Sequence, residues 1–151
     1  STIYLTHSIV ATLFGLAIAM SWFHIMYIPM ATMELSQTLD YGPMMQAGFQ
    51  AALGGVTYGA LGFAMAAYTG KSSNGWAFGI GLLAIEWISN MLSGTNDVFQ
   101  WIDENISSFG AYGDPYNDGL NSGDVTLVTA KILIFLVIGF IGFRNRSLNL
   151  R

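Results

Sequence analysis

Four long apolar runs make up most of this 151-residue chain and limit what it can fold into. Each run has about the 17–25 residues that a helix needs to cross the hydrocarbon core of a membrane. The runs cover residues 8–33, 47–69, 76–94 and 125–143. A soluble helical bundle would need a polar face on each helix, and these segments lack one. We therefore predict an all-α membrane protein whose single domain, residues 1–151, contains four transmembrane helices.

The composition supports this prediction. Charged residues make up 9% of the chain and hydrophobic residues 53%, whereas soluble domains have roughly a quarter charged residues. So few charges cannot cover a surface that faces water. The chain contains no cysteine, which excludes disulfides and thiol chemistry. Its small number of Lys and Arg residues argues against nucleic acid as a partner.

The basic residues predict how the chain is threaded through the membrane. Four of the five lie between the second and third runs or after the fourth run, namely Lys71, Arg144, Arg146 and Arg151, and the fifth, Lys131, lies within the fourth run. The other two connections, 35–46 and 95–124, contain no Lys or Arg. Basic residues favour the cytoplasmic side of a membrane. We therefore predict that both termini are cytoplasmic (N-in/C-in), in the cytoplasmic membrane of a bacterium or an archaeon.

The long acidic connection between the third and fourth runs, residues 95–124, has two parts. Its first part, residues 97–109, places Trp101 and Ile106 among apolar residues at helical spacing, with acidic residues between them. This pattern predicts a short helix that lies in the membrane interface, or a cap that packs on neighbouring helices or on a partner. The second part, residues 110–124, is rich in Gly, Asn and Asp, which is typical of turns.

No bound cofactor is predicted, and two patterns match metal sites only in part. Residues 114–119 read DPYNDG, like the start of a calcium loop, but Tyr116 stands where such a loop has Asp or Asn, and Val125 where it has Glu. Copper(I) binds thioether and imidazole groups, and the first helix carries Met20, His24, Met30 and Met33. These side chains are divided between two faces of the helix. A copper site would therefore need ligands from elsewhere.

Glycines at four-residue spacing occur in two of the predicted helices. The second helix contains Gly55 and Gly59, and the third contains Gly75 and Gly79. Such GxxxG pairs let membrane helices approach closely. Two uses stay open at this point: packing within one four-helix bundle, or association with other membrane chains.

Glu86 stands in the middle of the third apolar run, in the stretch GIGLLAIEWISNML. A charge at the centre of a bilayer costs at least about 2.5–3.5 kcal/mol, so Glu86 should be neutral, paired or close to water. At 100° per residue it shares a helix face with Gly75, Gly79 and Asn90. We expect this face to point at other helices rather than at lipid.

Two other ionisable groups fall at a similar depth. Counted from the predicted outer ends of their helices, Glu86 lies about 12 Å inward, Lys131 about 9 Å and His24 about 13 Å. We therefore predict an intramembrane polar cluster of Glu86, Lys131, His24 and Asn90. Such a cluster would either be a structural pairing or bind and relay protons or ions. In a simpler alternative, Lys131 extends outward to Asp124 and Glu86 bonds to Asn90.

These features favour an integral membrane subunit of a larger homo- or hetero-oligomeric complex, with a structural or accessory role and no catalytic activity of its own. Its expected partners are other membrane subunits or copies of itself, together with the lipid bilayer. The alternative is a small proton- or cation-coupled transporter or channel that uses Glu86 with Lys131 and His24. A structural membrane protein of an envelope or virion fits the composition as well.

Overall fold

The computed structural model describes residues 2–32, 40–113, 115 and 117–149, and within these ranges it contains helices and turns but no strand. The four long helices are α1 (Thr2–Thr32), α2 (Tyr41–Thr69), α3 (Ser72–Leu92) and α5 (Ser122–Asn149). A short helix, α4 (Asp97–Asn105), precedes a 3-10 turn at Gly110–Tyr112.

Each of the four long helices is long and apolar enough to cross a membrane, which confirms the prediction made from the apolar runs. The helices are generally longer than those runs: α1 begins at Thr2 rather than at residue 8, and α2 at Tyr41 rather than at residue 47. A helix satisfies its backbone hydrogen bonds internally. It can therefore continue beyond the apolar segment, where its polar side chains reach water.

The central helix of the bundle is α2, which packs against α1, α3 and α5. Small residues dominate its buried positions, which include Gly48, Ala52, Ala60 and Ala64. On the side facing α5, Leu53 packs in one cluster with Val128 and Ile132. Small side chains let helices approach closely, and here they allow three helices to surround a fourth.

The GxxxG pair of α3 is covered by α2 of the same chain. A Cβ atom added at Gly75 would lie 2.5 Å from the carbonyl oxygen of Gly62, and one at Gly79 would lie 3.0 Å from the carbonyl oxygen of Tyr58. Both positions are buried against α2. The α2–α3 contact therefore depends on the absence of side chains at these two residues.

The chain between α3 and α5 forms a cap, residues 93–113, over one end of the bundle. Helix α4 packs against α3, and the 3-10 turn contacts α2, α4 and α5. The side chain of Asn96 caps α4 by accepting a hydrogen bond of 2.8 Å from the N–H of Val98. A Cβ atom at Gly110 would lie 1.8 Å from the carbonyl oxygen of Asp103, so the turn folds directly back onto α4.

Replacing Gly75 with alanine should destabilise the fold, whereas the same change at Gly81 should not. The added methyl group at position 75 would press on the backbone of Gly62, and overpacking of this kind costs about 1–3 kcal/mol. A Cβ atom at Gly81 meets nothing within 4 Å, and alanine is favoured over glycine inside a helix by roughly 0.5–1 kcal/mol. Reversible SDS titration followed by circular dichroism would measure both variants. Equal stabilities of the Gly75 and Gly81 variants would mean that α2 and α3 do not approach each other closely at Gly75.

Candidate functional site

Glu86 lies on the face of α3 that points into the bundle. Only 1% of it is exposed. On the same face Gly75, Gly79 and Ser89 are also buried. The carboxylate is therefore surrounded by protein, and its charge must be balanced by groups from the neighbouring elements.

Lys131 of α5 supplies that balance. Its Nζ lies 2.5 Å from Oε1 of Glu86. The ammonium also donates to two groups of the cap, the carbonyl oxygen of Ile106 at 2.9 Å and Oγ of Ser108 at 2.8 Å. A lysine ammonium has three N–H donors. All three therefore have an acceptor.

The second oxygen of Glu86, Oε2, accepts two further hydrogen bonds. The hydroxyl of Tyr58 on α2 donates at 2.8 Å, and the backbone N–H of Ser108 donates at 2.7 Å. The groups in contact with Glu86 can all donate, which suits an ionised carboxylate because its oxygens only accept. Glu86, Lys131, Tyr58, Ser108 and the Ile106 carbonyl group thus form one neutral, fully bonded unit, called the ion-pair network below.

Two consecutive serines bring the cap to the pair. The side-chain oxygen of Ser107, which is fully buried, accepts from the N–H groups of Phe109 at 3.0 Å and Gly110 at 3.4 Å. These bonds start the 3-10 turn. Ser108 then uses its N–H toward Glu86 and its Oγ toward Lys131. One residue of the cap therefore bonds to both charges.

Two more hydrogen bonds hold the cap on the bundle. Nε2 of the buried Gln50 on α2 donates to the carbonyl oxygen of Ala111 at 2.7 Å. The amide of Asn90 on α3 donates to the carboxylate of Asp103 on α4, at 3.1 Å and 3.3 Å from its two oxygens. In the described part of the chain, Oε1 of Gln50 is the one buried side-chain oxygen or nitrogen without a partner. The cap is thus fixed at three separate places.

The structure places His24, another residue of the predicted cluster, in a different set of contacts. Its Nδ1 lies 2.8 Å from the carbonyl oxygen of Met20, and its Nε2 lies 2.8 Å from the hydroxyl of Tyr41. Because a carbonyl oxygen can only accept, Nδ1 is the donor, and in the neutral ring Nε2 accepts from Tyr41. Of the four residues predicted to cluster, Glu86 and Lys131 bond to each other, whereas His24 and Asn90 bond to other partners.

The two partial metal patterns lie in part outside the described residues. In the described part, Met20 meets His24 through its backbone carbonyl oxygen. No three His, Asp or Glu side chains of the described residues are grouped so that they could hold a metal ion. Neither copper nor calcium is predicted to bind, and these contacts do not test the two patterns. Met33, Asp114, Tyr116 and the side chain of Met30 lie outside the described residues.

Sequence reasoning does not single out Tyr58, Ser107 or Ser108. For Tyr58 a signal exists, because a tyrosine hydroxyl inside an apolar helix needs a hydrogen-bond partner when it is buried. Ser108 acts partly through its backbone N–H, which every residue except proline has. No side-chain pattern could therefore have revealed that part of its role.

Comparisons with protein-family models, with curated proteins and with solved structures found no match. The function of this chain must therefore be inferred from its own geometry.

Replacing Glu86 with glutamine should cost much of the stability of the protein. Removing one partner of a buried ion pair leaves the other charge uncompensated, at a cost of about 3–5 kcal/mol. The double variant Glu86→Gln/Lys131→Met carries no buried charge and should recover most of this loss. SDS titration would measure the unfolding free energy, and hydrogen exchange at the Ser108 amide would report on the cap.

A matched control for this experiment is Glu104→Gln. Glu104 is exposed on α4 and accepts a hydrogen bond from Gln100, so its replacement should change stability by less than about 1 kcal/mol. If Glu86→Gln and the double variant lose the same stability, Glu86 does not compensate the charge of Lys131. That result would contradict the ion-pair network.

Proposed function

We propose that this protein is an integral membrane subunit of a larger homo- or hetero-oligomeric complex, in which it has a structural or accessory role and no catalytic activity of its own. The observation that carries the proposal is the open small-residue face of α2. A Cβ atom added at Gly55 or Gly59 would meet nothing within 4 Å. Both glycines line a groove of about 500 Å³ between α1 and α2.

The two GxxxG pairs of the chain differ in what covers them. Gly75 and Gly79 are buried against the backbone of α2, which shows how closely a helix packs on such a pair. Gly55 and Gly59 have the same spacing but are exposed, and the groove beside them has apolar walls such as Phe23 and Val56. Close helix packing on small residues is a main source of association between membrane helices. A helix from another chain would fit this face.

The ion-pair network supports a structural role. All three N–H donors of Lys131 and both oxygens of Glu86 are bonded. A proton or an ion that passed this point would have to break several of these bonds together. The network instead joins α2, α3, α5 and the cap into one unit, which suits a subunit that presents a fixed surface.

The arrangement of the bundle also supports the predicted N-in/C-in threading. Lys71 and Arg146 lie at the end where α2 and α5 finish, which is the end opposite the cap. With basic residues facing the cytoplasm, the cap would lie outside. Its acidic residues, which include Asp97 and Glu104, would then face away from the cytoplasm.

The assembly proposal predicts the effect of blocking the α1–α2 groove. Native mass measurement after extraction in a mild detergent should give a mass above that of one 16.4 kDa chain. Gly59→Leu should lower this mass, because the new side chain would occupy the contact face. Gly81→Leu is the control, since position 81 is equally open but lies outside the groove. A wild-type monomer from the native membrane would overturn the proposal.

Chemical cross-linking gives an independent measurement of the same contact. The chain contains no cysteine, so a single introduced thiol is the only one present. Gly55→Cys should form cross-links to a second chain in the membrane, and Gly81→Cys should not. Equal cross-linking at both positions would indicate random collisions rather than a specific interface.

A second candidate function is proton- or cation-coupled transport, and the buried Glu86–Lys131 pair itself is the observation that favours it. Ionisable residues inside membrane helices often mark ion pathways. His24, which this hypothesis also uses, bonds to Tyr41 rather than to the pair. All donors of Lys131 and both oxygens of Glu86 are already bonded, and His24 bonds elsewhere. Transport is therefore the weaker of the two proposals.

Flux measurements in liposomes separate the two functions. We expect liposomes that contain the wild-type protein to take up protons or monovalent cations no faster than empty liposomes. The double variant Glu86→Gln/Lys131→Met, which avoids an uncompensated charge, should give the same result. A wild-type flux that the double variant abolishes would support transport and count against a purely structural role.

A further inference from the structure

At the end of the bundle opposite the cap, a cavity of about 360 Å³ lies between the start of α1 and the ends of α2 and α5. It is a shallow cavity that is largely open to its surroundings. Its polar lining comes from His7, Ser72 and Arg146, and its apolar walls include Phe63 and Phe143. The cavity therefore offers both polar and apolar contacts to one ligand.

Arg146 gives the cavity a permanent positive charge. Its Nη1 donates to the carbonyl oxygen of Ala67 at 3.0 Å, in the last turn of α2. The guanidinium lies directly over Gly70, where an added Cβ atom would be 2.5 Å from Nη1. Gly70 has a φ of 76°, a conformation that glycine adopts readily. The position of the guanidinium is thus set by the backbone at the end of α2.

The surrounding sequence leaves this charge without acidic side chains nearby along the chain. Residues 1–33, 41–85 and 125–151 contain no Asp or Glu, and every residue that lines the cavity belongs to these ranges. Lys71 adds a second positive charge at the same end. His7 donates from Nδ1 to the carbonyl oxygen of Ile3, so in the neutral ring its Nε2 is an acceptor and the donors for an anion are those of Arg146 and Ser72. The charge of the cavity therefore favours an anionic ligand.

An apolar groove continues from the cavity. A groove of about 350 Å³ between α2 and α3 shares Phe63, Ala66 and Ser72 with it. Along α3 the groove is lined by Trp76, Ile80 and Leu83, which follow one another at intervals of about one turn. The groove thus runs from the cationic cavity along the helix, in the direction in which a lipid chain enters a bilayer.

We propose that the cavity and this groove together bind one anionic phospholipid. Arg146 bonds to the phosphate with its planar set of N–H donors, which suits phosphate oxygens. Ser72 contacts the same headgroup. An acyl chain lies in the α2–α3 groove against Trp76 and Ile80. With the N-in/C-in threading, this site lies in the cytoplasmic leaflet, where anionic lipids are concentrated.

This site adjoins the face proposed for assembly, because Gly59 and Phe63 line both grooves. Trp76 and Ile80 line only the α2–α3 groove, and Gly55 lines only the α1–α2 groove. Experiments at Arg146 and Trp76 therefore test lipid binding, experiments at Gly55 test assembly, and either proposal can fail alone.

Equilibrium binding of single lipids to the purified protein tests the headgroup contact. Dioleoyl phosphatidylglycerol should bind as one molecule per chain, and dioleoyl phosphatidylcholine should bind more weakly. Arg146→Gln should reduce phosphatidylglycerol binding about fivefold, which corresponds to one basic residue near an anionic lipid surface. Arg144→Gln removes the same charge two positions away, outside the cavity, and should have a smaller effect. An equal loss in both variants would indicate diffuse attraction and overturn the site.

Tryptophan quenching tests the acyl-chain contact without altering Arg146. Two proteins would be compared, one that keeps only Trp76 and one that keeps only Trp87, with the other tryptophans changed to phenylalanine. Both residues are exposed on α3, but only Trp76 lines the groove. A small fraction of phosphatidylglycerol with brominated chains, added to phosphatidylcholine vesicles, should quench Trp76 more than Trp87.

The remaining outcomes also decide the proposal. Equal quenching of the two tryptophans, or quenching of Trp76 by brominated phosphatidylcholine to the same extent, would overturn it. Glycerol 3-phosphate carries the same anionic group without chains. If it binds as tightly as phosphatidylglycerol, the cavity is an anion site and the groove does not hold a lipid chain.

Discussion

The free-energy cost of placing charges among apolar helices is the constraint on which the rest of this structure depends. Glu86 and Lys131 each cost several kcal/mol alone in a membrane interior, and a buried pair is tolerated only when its remaining donors and acceptors are bonded too. Helices α3 and α5 supply the charges, α2 supplies Tyr58, and the cap supplies Ser108 and the Ile106 carbonyl group. The cap and the bundle are therefore stabilised by one interaction. The cap cannot leave without removing a donor from Glu86 and two acceptors from Lys131.

Helix direction explains why these two residues meet. Lys131 lies nine residues from the start of α5 at Ser122, about 14 Å, and Glu86 lies six residues from the end of α3 at Leu92, about 9 Å. Side chains on a helix lean toward its N-terminus. Because α5 starts at the cap and α3 ends there, Lys131 leans toward the cap and Glu86 leans away from it. The two directions reduce the difference in depth and carry the ammonium to the cap.

Residue counts along the sequence were enough to place Glu86 and Lys131 at similar depths, but not to separate them from His24. Depth says nothing about which way a side chain points around its helix or which helix lies opposite. His24 bonds to Tyr41, and Tyr41 precedes the apolar run that predicted α2. The GxxxG spacing has the same limit. It identified both glycine pairs, but whether another helix covers a pair depends on where the neighbouring helices cross. Of the two pairs, Gly75 and Gly79 are covered by a helix of this chain, whereas Gly55 and Gly59 are open.

The exposure of side chains on α4 bears on what lies outside the cap. On a helix that faces water, carboxylates point outward and apolar residues inward. On α4, Asp103 is 8% exposed and bonds to Asn90, whereas Val98 is 64% exposed and Trp101 is 57% exposed. Contact with water alone would not favour this arrangement. Contact with lipid headgroups or with another chain would, since Trp is well suited to both environments. The outer face of the cap and the Gly55–Gly59 face of α2 are thus two separate surfaces of the chain that contact with lipid or with another chain would stabilise.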